Sequence, residues 1–180
     1  VLHVLEAIKR YNRSAYFIQL STTTQFGKLI DLPANETHFE SPRDIYSANK
    51  CVSEKYTLLY AKVFGINATA LRISNCFGPR ACIVNKELTF NNYFIGLALK
   101  DQCITIYGEG NQKRNIIYVQ DVVNATKACI NNPKIIGETF LLVSDEHLRL
   151  KEIAQKIVHH CKSGSINYIE WPTTSLKTEV

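Results

Sequence analysis

Hydrophobic and polar positions alternate along this chain with two different periods. Residues 1–12 place Val1, Leu2, Val4, Leu5 and Ile8 at helical spacing, and the short apolar run at 15–21 that follows suits a buried strand. Gly27, Pro33, Asn35 and Pro42 make the stretch from Thr22 to Ile45 mostly loop. Residues 46–64 set Val52, Tyr56, Leu59, Tyr60 and Val63 along one side of a helix, with Gly65 behind them as a stop signal. The run at 67–74 is again strand-like and leads into the polar turn "NCFGPR". Beyond it the pattern predicts a helix over 87–100, a strand over 103–107 and a glycine-bracketed loop over 108–114 leading into "NIIYV". A helix over 120–131, a strand over 138–144, a helix over 149–161 and a last strand near "INYIEW" complete the reading.

This alternation of strand and helix is the signature of an α/β fold with a doubly wound parallel sheet, whose ligands sit beyond the carboxyl ends of the strands. The loops after Ser21 and after Ser74 lie at two such ends.

Composition narrows the class. The 180 residues are 46% hydrophobic and 21% charged, a balance suited to a soluble globular protein with one sizeable core. No apolar run approaches the roughly 18–20 residues a bilayer span requires, and no signal-peptide pattern opens the chain. A cytoplasmic, non-membrane protein is expected. The six cysteines form no Cys-x-x-Cys pair, which argues against zinc and against a disulfide scaffold, so no metal is expected. His159, His160 and Cys161 read as a helix end where cations suit the dipole. The net charge of +5 suits an anionic ligand, but Lys and Arg are dispersed and draw no nucleic-acid stripe. The chain has no methionine and opens on an uncapped helical pattern, from which we expect a fragment that begins in mid-fold.

The candidate chemistry starts with "RDIYSANK". Tyr46 and Lys50 are four residues apart on a predicted helix and therefore share a face, which places an ammonium where it can act on a phenol or on a ligand beside it. Nine Tyr and 21 Lys plus Arg in 180 residues yield about one such pair by chance, so spacing alone does not make a site.

Four blocks in order supply the context: "STTTQFG" (21–27), "SPRDIYSANK" (41–50), "LRISNCFGPR" (71–80) and "IYGEGNQKRNIIYVQDVVNA" (106–125). Together they resemble the extended short-chain dehydrogenase/reductase family, and within it the NAD-dependent nucleotide-sugar epimerase/dehydratase branch, over nearly the whole chain. The resemblance implies a partial Rossmann-like sheet with a smaller C-terminal substrate-binding region. Residues 1–80 would complete the NAD-binding domain and 81–180 would mainly bind substrate, with 138–144 returning to the main sheet. The family's N-terminal βαβ unit, with its glycine-rich loop and the selector between NAD and NADP, has no counterpart here.

Residue by residue, the resemblance implies that Tyr46 is the general base, that Lys50 lowers its pKa and binds the nicotinamide ribose, and that Thr22 hydrogen-bonds the reacting hydroxyl. Ser21, Cys76 and Phe77 would border the cofactor. Asn75 and Arg114 would hold the substrate near its diphosphate. Tyr107, an aromatic that closes a strand, reads as packing either on the nucleotide base or in the core. Arg72, on a buried strand, reads as a structural ion-pair partner. The family's dehydratases carry an acidic pair after the Thr, and its decarboxylases a Glu. This chain has Thr23 and Thr24, and a threonine hydroxyl is a poor acid for expelling water. Asn115 and Phe26 replace a usual Asp and Tyr. The expected function is therefore an NAD-dependent nucleotide-sugar epimerase working through a transient keto-sugar. The alternatives are a dehydratase or reductase of the same family, or an inactive nucleotide-sugar-binding protein. A homodimer pairing through the Tyr-bearing helix is implied as well.

Overall fold

The computed structural model describes residues 1–171. Residues 172–180, the end of the expected substrate-binding region, lie outside them. The elements run α1 (Leu2–Tyr11), β1 (Tyr16–Thr22), a 3-10 turn (Thr23–Phe26), α2 (Ile45–Phe64), β2 (Asn67–Ile73), β3 (Asn75–Phe77), α3 (Phe90–Leu99) and β4 (Cys103–Tyr107). They continue with β5 (Lys113–Tyr118), α4 (Val119–Cys129), a 3-10 turn (Pro133–Ile135), β6 (Thr139–Leu142), β7 (His147–Arg149), α5 (Leu150–Cys161) and β8 (Ser165–Ile169). The chain divides into two compact units, Val1–Ser74 with Asp121–Leu142, and Asn75–Gln120 with the residues from Val143 onward.

The first unit holds a parallel sheet of order β1-β2-β6. β1 pairs with β2 along its length, from Tyr16 opposite Asn67 to Thr22 opposite Ile73, and β2 pairs with β6 from Ala70 opposite Thr139. Parallel neighbours need a crossover, and α2 provides it. This is the Rossmann-like α/β arrangement expected from the alternation.

Both ends of α2 are set by local chemistry. Asp44 is extended and its Oδ1 accepts from the Ser47 N–H at 2.7 Å. Gly65 adopts φ 66°, a left-handed conformation that costs glycine nothing, and its N–H returns to the Ala61 carbonyl at 3.0 Å. The helix does not bury the side its apolar pattern marks. Val52, Leu59 and Val63 are 51, 53 and 63% exposed, whereas Ser47, Glu54 and Thr57 are fully buried. Polar residues can occupy that inner face because each finds a partner: Thr57 Oγ1 donates to the Ser53 carbonyl at 2.8 Å, and Glu54 meets Arg72 and Gln25. A small core of Ala61, Ile66 and Ala68 lies beyond them, with Ile8, Phe17 and Ile136 packed on it.

The long connection between β1 and α2 is tied down from both sides. Arg72 Nη1 donates to the Glu36 carbonyl at 2.9 Å, and Glu36 Oε1 accepts from the Leu141 N–H at 3.0 Å. Gly27, at φ 63°, lies so near this segment that an added Cβ would stand 2.0 Å from the Ser41 carbonyl oxygen.

In the second unit, β3, β5 and β7 form one sheet and β4 and β8 another. β4 alternates strictly, with Ile104 and Ile106 inward against Phe94, Ala98 and Ala154. Asn75–Phe77, expected as a polar turn, is instead the strand β3, paired parallel with Ile116–Tyr118. Three residues are too few for a period to register. Among the described residues, no helix is long and apolar enough to cross a membrane.

Candidate functional site

In the first unit the candidate residues gather where β1 ends and α2 begins. Ser21 and Thr22 close β1 and are 5 and 6% exposed. Tyr46 and Lys50 occupy the first turns of α2, with the Lys50 ammonium 5.8 Å from the Tyr46 ring centroid. That ammonium also donates to the Leu20 carbonyl at 2.7 Å. Lys50 thus ties the start of the helix to the carboxyl end of the strand, and Tyr46 stands beside it, 58% exposed.

Thr22 and Thr24 belong to a line of side-chain oxygens. Thr22 Oγ1 lies 3.2 Å from Thr24 Oγ1 and accepts from the Thr24 N–H at 3.3 Å. Thr24 Oγ1 lies 2.8 Å from Ser47 Oγ, which donates to Asp44 Oδ2 at 2.9 Å. Ser47 and Asp44 escaped the sequence reading. The signal was present, an Asp directly before an apolar helical run, which is an N-cap pattern.

Ser21 faces inward. Its hydroxyl donates to Gln25 Oε1 at 3.3 Å, and Gln25 Nε2 donates to Glu54 Oε2 at 3.0 Å. Glu54 Oε1 accepts from Arg72 Nε and Nη2, and Arg72 Nη2 reaches Glu40 as well, so Arg72 is the structural ion-pair partner expected of it. Burial works to raise the Glu40 carboxyl, but hydrogen bonds from Lys55 and Cys51 and the charges of Arg72 and Lys55 outweigh it and hold the group below its ordinary range. Burial first, and then the Glu40 carboxylate, push the Cys51 thiol up to about 11. Phe26 is buried beneath this cluster, its ring centroid 5.0 Å from the Arg72 guanidinium.

In the second unit, Asn75 and Arg114 lie on the paired strands β3 and β5. Asn75 Nδ2 donates to the Asn115 carbonyl at 2.9 Å. The buried Asn91 and Asn92 donate to the carbonyls of Asn75 and Cys76 at 3.2 and 3.0 Å, standing in for a neighbouring strand. Cys76 follows Asn75, its thiol raised by burial, and the Phe77 ring leans on Tyr118 at 5.5 Å. Arg114 Nη1 donates to the Lys113 carbonyl at 3.0 Å. Asn115, where the family usually has Asp, clasps the loop after β6: its Nδ2 donates to the Ser144 carbonyl at 2.7 Å and its Oδ1 accepts from the Ser144 N–H at 3.0 Å. An aspartate would lose the first of these bonds. Tyr107 ends β4, pairs with the Trp171 ring at 5.5 Å and is 38% exposed.

Comparison with known proteins bears on the same blocks. Residues 1–142 match the model of the NAD dependent epimerase/dehydratase family. UDP-glucuronic acid decarboxylase 4 of Arabidopsis thaliana is 31% identical over 127 residues, which cover 68% of this chain and 28% of that protein. Among solved structures, the UDP-glucuronic acid 4-epimerase of Bacillus cereus, in complex with UDP-glucuronic acid and NAD, superposes with a TM-score of 0.80 at 27% identity. The match covers 93% of this chain and 52% of that one. The UDP-N-acetylglucosamine 4-epimerase of Methanobrevibacter ruminantium, at 23% identity, shares the fold with a TM-score of 0.87 over 96% of this chain and 55% of its own. The chain spans about half the length of these solved relatives. With the family model matched over most of its length, the chain belongs to the NAD-dependent epimerase/dehydratase family.

Proposed function

We propose that the protein is an NAD-dependent nucleotide-sugar epimerase that acts through a transient keto-sugar, with Tyr46 as general base. The observation that carries this reading is the position of Lys50, whose ammonium bridges the Leu20 carbonyl and the neighbourhood of Tyr46 at the carboxyl end of a parallel strand. Ligands of open α/β sheets bind at such ends.

The donor set fits NAD. Lys50 carries three ammonium protons, of which the Leu20 carbonyl takes one, and the Tyr46 hydroxyl both donates and accepts. Such a set suits the vicinal hydroxyls of a ribose. When bound, NAD supplies the hydride acceptor and donor. Tyr46 takes the proton of the sugar hydroxyl as it is oxidised and returns it on reduction, with the Lys50 ammonium beside its ring. Thr22 holds the sugar at its reacting end. Cys76 and Phe77 border the nicotinamide, Asn75 and Arg114 bind the diphosphate, and Tyr107 packs against the base, whereas the Ser21 hydroxyl is turned inward to Gln25.

Thr23 and Thr24 favour epimerisation over dehydration or decarboxylation. Elimination of water needs an acid beside the leaving hydroxyl, and these positions hold alcohols. Epimerisation needs only the base, the cofactor and room for the ring to turn.

We further infer a homodimer. The exposed stripe of Val52, Tyr56, Leu59 and Val63 on α2 is apolar surface of the kind that marks a protein interface, and a second copy would cover it.

The test is to incubate the protein, expressed from its whole coding sequence, with NAD and a panel of UDP-, dTDP-, GDP- and CDP-sugars, following the products by NMR. An inverted sugar without net cofactor reduction is expected, and Tyr46→Phe should abolish it. A keto-deoxy product, or full activity in Tyr46→Phe, would refute the assignment.

A further inference from the structure

The line of oxygens from Thr22 to Asp44 has a direction. A carboxylate only accepts hydrogen bonds. The hydroxyl of Ser47, 2.9 Å from Asp44 Oδ2, therefore spends its proton on Asp44. Ser47 is fully buried, and 2.8 Å away lies Thr24 Oγ1. With the Ser47 proton committed, that contact is a hydrogen bond only if Thr24 donates. Thr24 Oγ1, its proton spent on Ser47, can meet Thr22 Oγ1 at 3.2 Å only as an acceptor. Each hydroxyl has one proton, and those of Ser47 and Thr24 are both used in the direction of Asp44.

We propose that Asp44 is a positioning residue that, through Ser47, fixes the hydroxyl of Thr24 so that it faces a ligand as a hydrogen-bond acceptor only. This deepens the epimerase reading and rests on it. It specifies the ligand as a sugar that brings free hydroxyls as donors to this corner, besides the hydroxyl whose proton goes to Tyr46. A deoxy, methoxy or keto group at the same place has no proton to give and loses the contact. It also adds a geometric reason why Thr24 does not protonate a leaving group: its proton is already held by Ser47.

Asparagine at position 44 offers a reversal. It caps a helix as well as aspartate does, so Asp44→Asn keeps the acceptor for the Ser47 N–H. Its amide, however, would donate to Ser47 Oγ and turn the hydroxyls of Ser47 and Thr24 around, leaving Thr24 free to donate away from Ser47. Neutron diffraction from deuterium-exchanged crystals of the whole protein reads these directions without any turnover. In the unsubstituted protein the deuteron on Ser47 Oγ should point to Asp44 and that on Thr24 to Ser47. In Asp44→Asn both should reverse. Deuterons on Ser47 or Thr24 pointing the other way in the unsubstituted protein would overturn the proposal, as would an unchanged pattern in Asp44→Asn. Neither outcome depends on catalysis, so a failure here is distinct from a failure of the epimerase reading, which Tyr46→Phe tests.

Discussion

Arg72 and Glu54 form a buried ion pair in which Nε and Nη2 of the arginine both reach Oε1 of the carboxylate, at 2.9 and 2.7 Å. Their side chains are 3 and 1% exposed. A charge left alone in such a place is costly, while the pair itself gains little over apolar residues of the same size. Arg72→Met should therefore destabilise the protein by about 3–5 kcal/mol in chemical denaturation. The double change Arg72→Met with Glu54→Leu should recover most of that loss, and equal losses in the single and double variants would contradict the pairing.

The same cluster predicts a quiet cysteine and a sign for alkaline stability. The Cys51 thiol is raised from its ordinary 9.0 to about 11. Below the ordinary value the thiol is protonated whether the chain is folded or not, and its contribution is intact. As pH climbs from about 9 toward 11 the unfolded thiol ionises first, so stability falls over that window. Cys51→Ser should flatten that part of the stability profile. Iodoacetamide at pH 8 should label Cys51 well behind the exposed Cys82 and Cys103, as read by peptide mass spectrometry. Labelling of Cys51 at their rate would show that its burial and its Glu40 contact do not persist in solution.

The outward stripe of α2 predicts an assembly. Leu59 is 53% exposed, and replacing it with Glu should convert a dimer to a monomer in light scattering. The folding stability of the monomer should change by no more than about 0.5 kcal/mol, as for other surface substitutions. A monomeric parent protein would remove the basis for the dimer.

Much of the fold was legible because its signals are local. Strands β1, β2 and β4 announce themselves as compact apolar runs, and Gly65 ends α2 by a conformation that a sequence can mark. The inner face of α2 was misread for a physical reason. Periodicity counts apolar residues, and this helix buries Ser47, Glu54 and Thr57 because partners distant in sequence, such as Gln25 and Arg72, satisfy them. β3 and β7 have three residues each and depend on pairing with β5, which no local window contains. At the site, Tyr46 and Lys50 were visible as a spacing. Thr24, Ser47 and Asp44 become a hydrogen-bonded line only when the turn after β1 meets the start of α2, a contact across 23 residues.

In epimerisation through a keto-sugar, a sugar carbon loses its hydrogen as hydride and receives the same hydrogen back on the other face. Epimerisation run in D2O with catalytic NAD, and read by proton NMR at the inverted carbon, tests it directly. Hydride return keeps the original hydrogen, so the product should carry no deuterium there. Deuterium at the inverted carbon would mean that the hydrogen left as a proton, and the keto-sugar mechanism with Tyr46 as its base would be wrong.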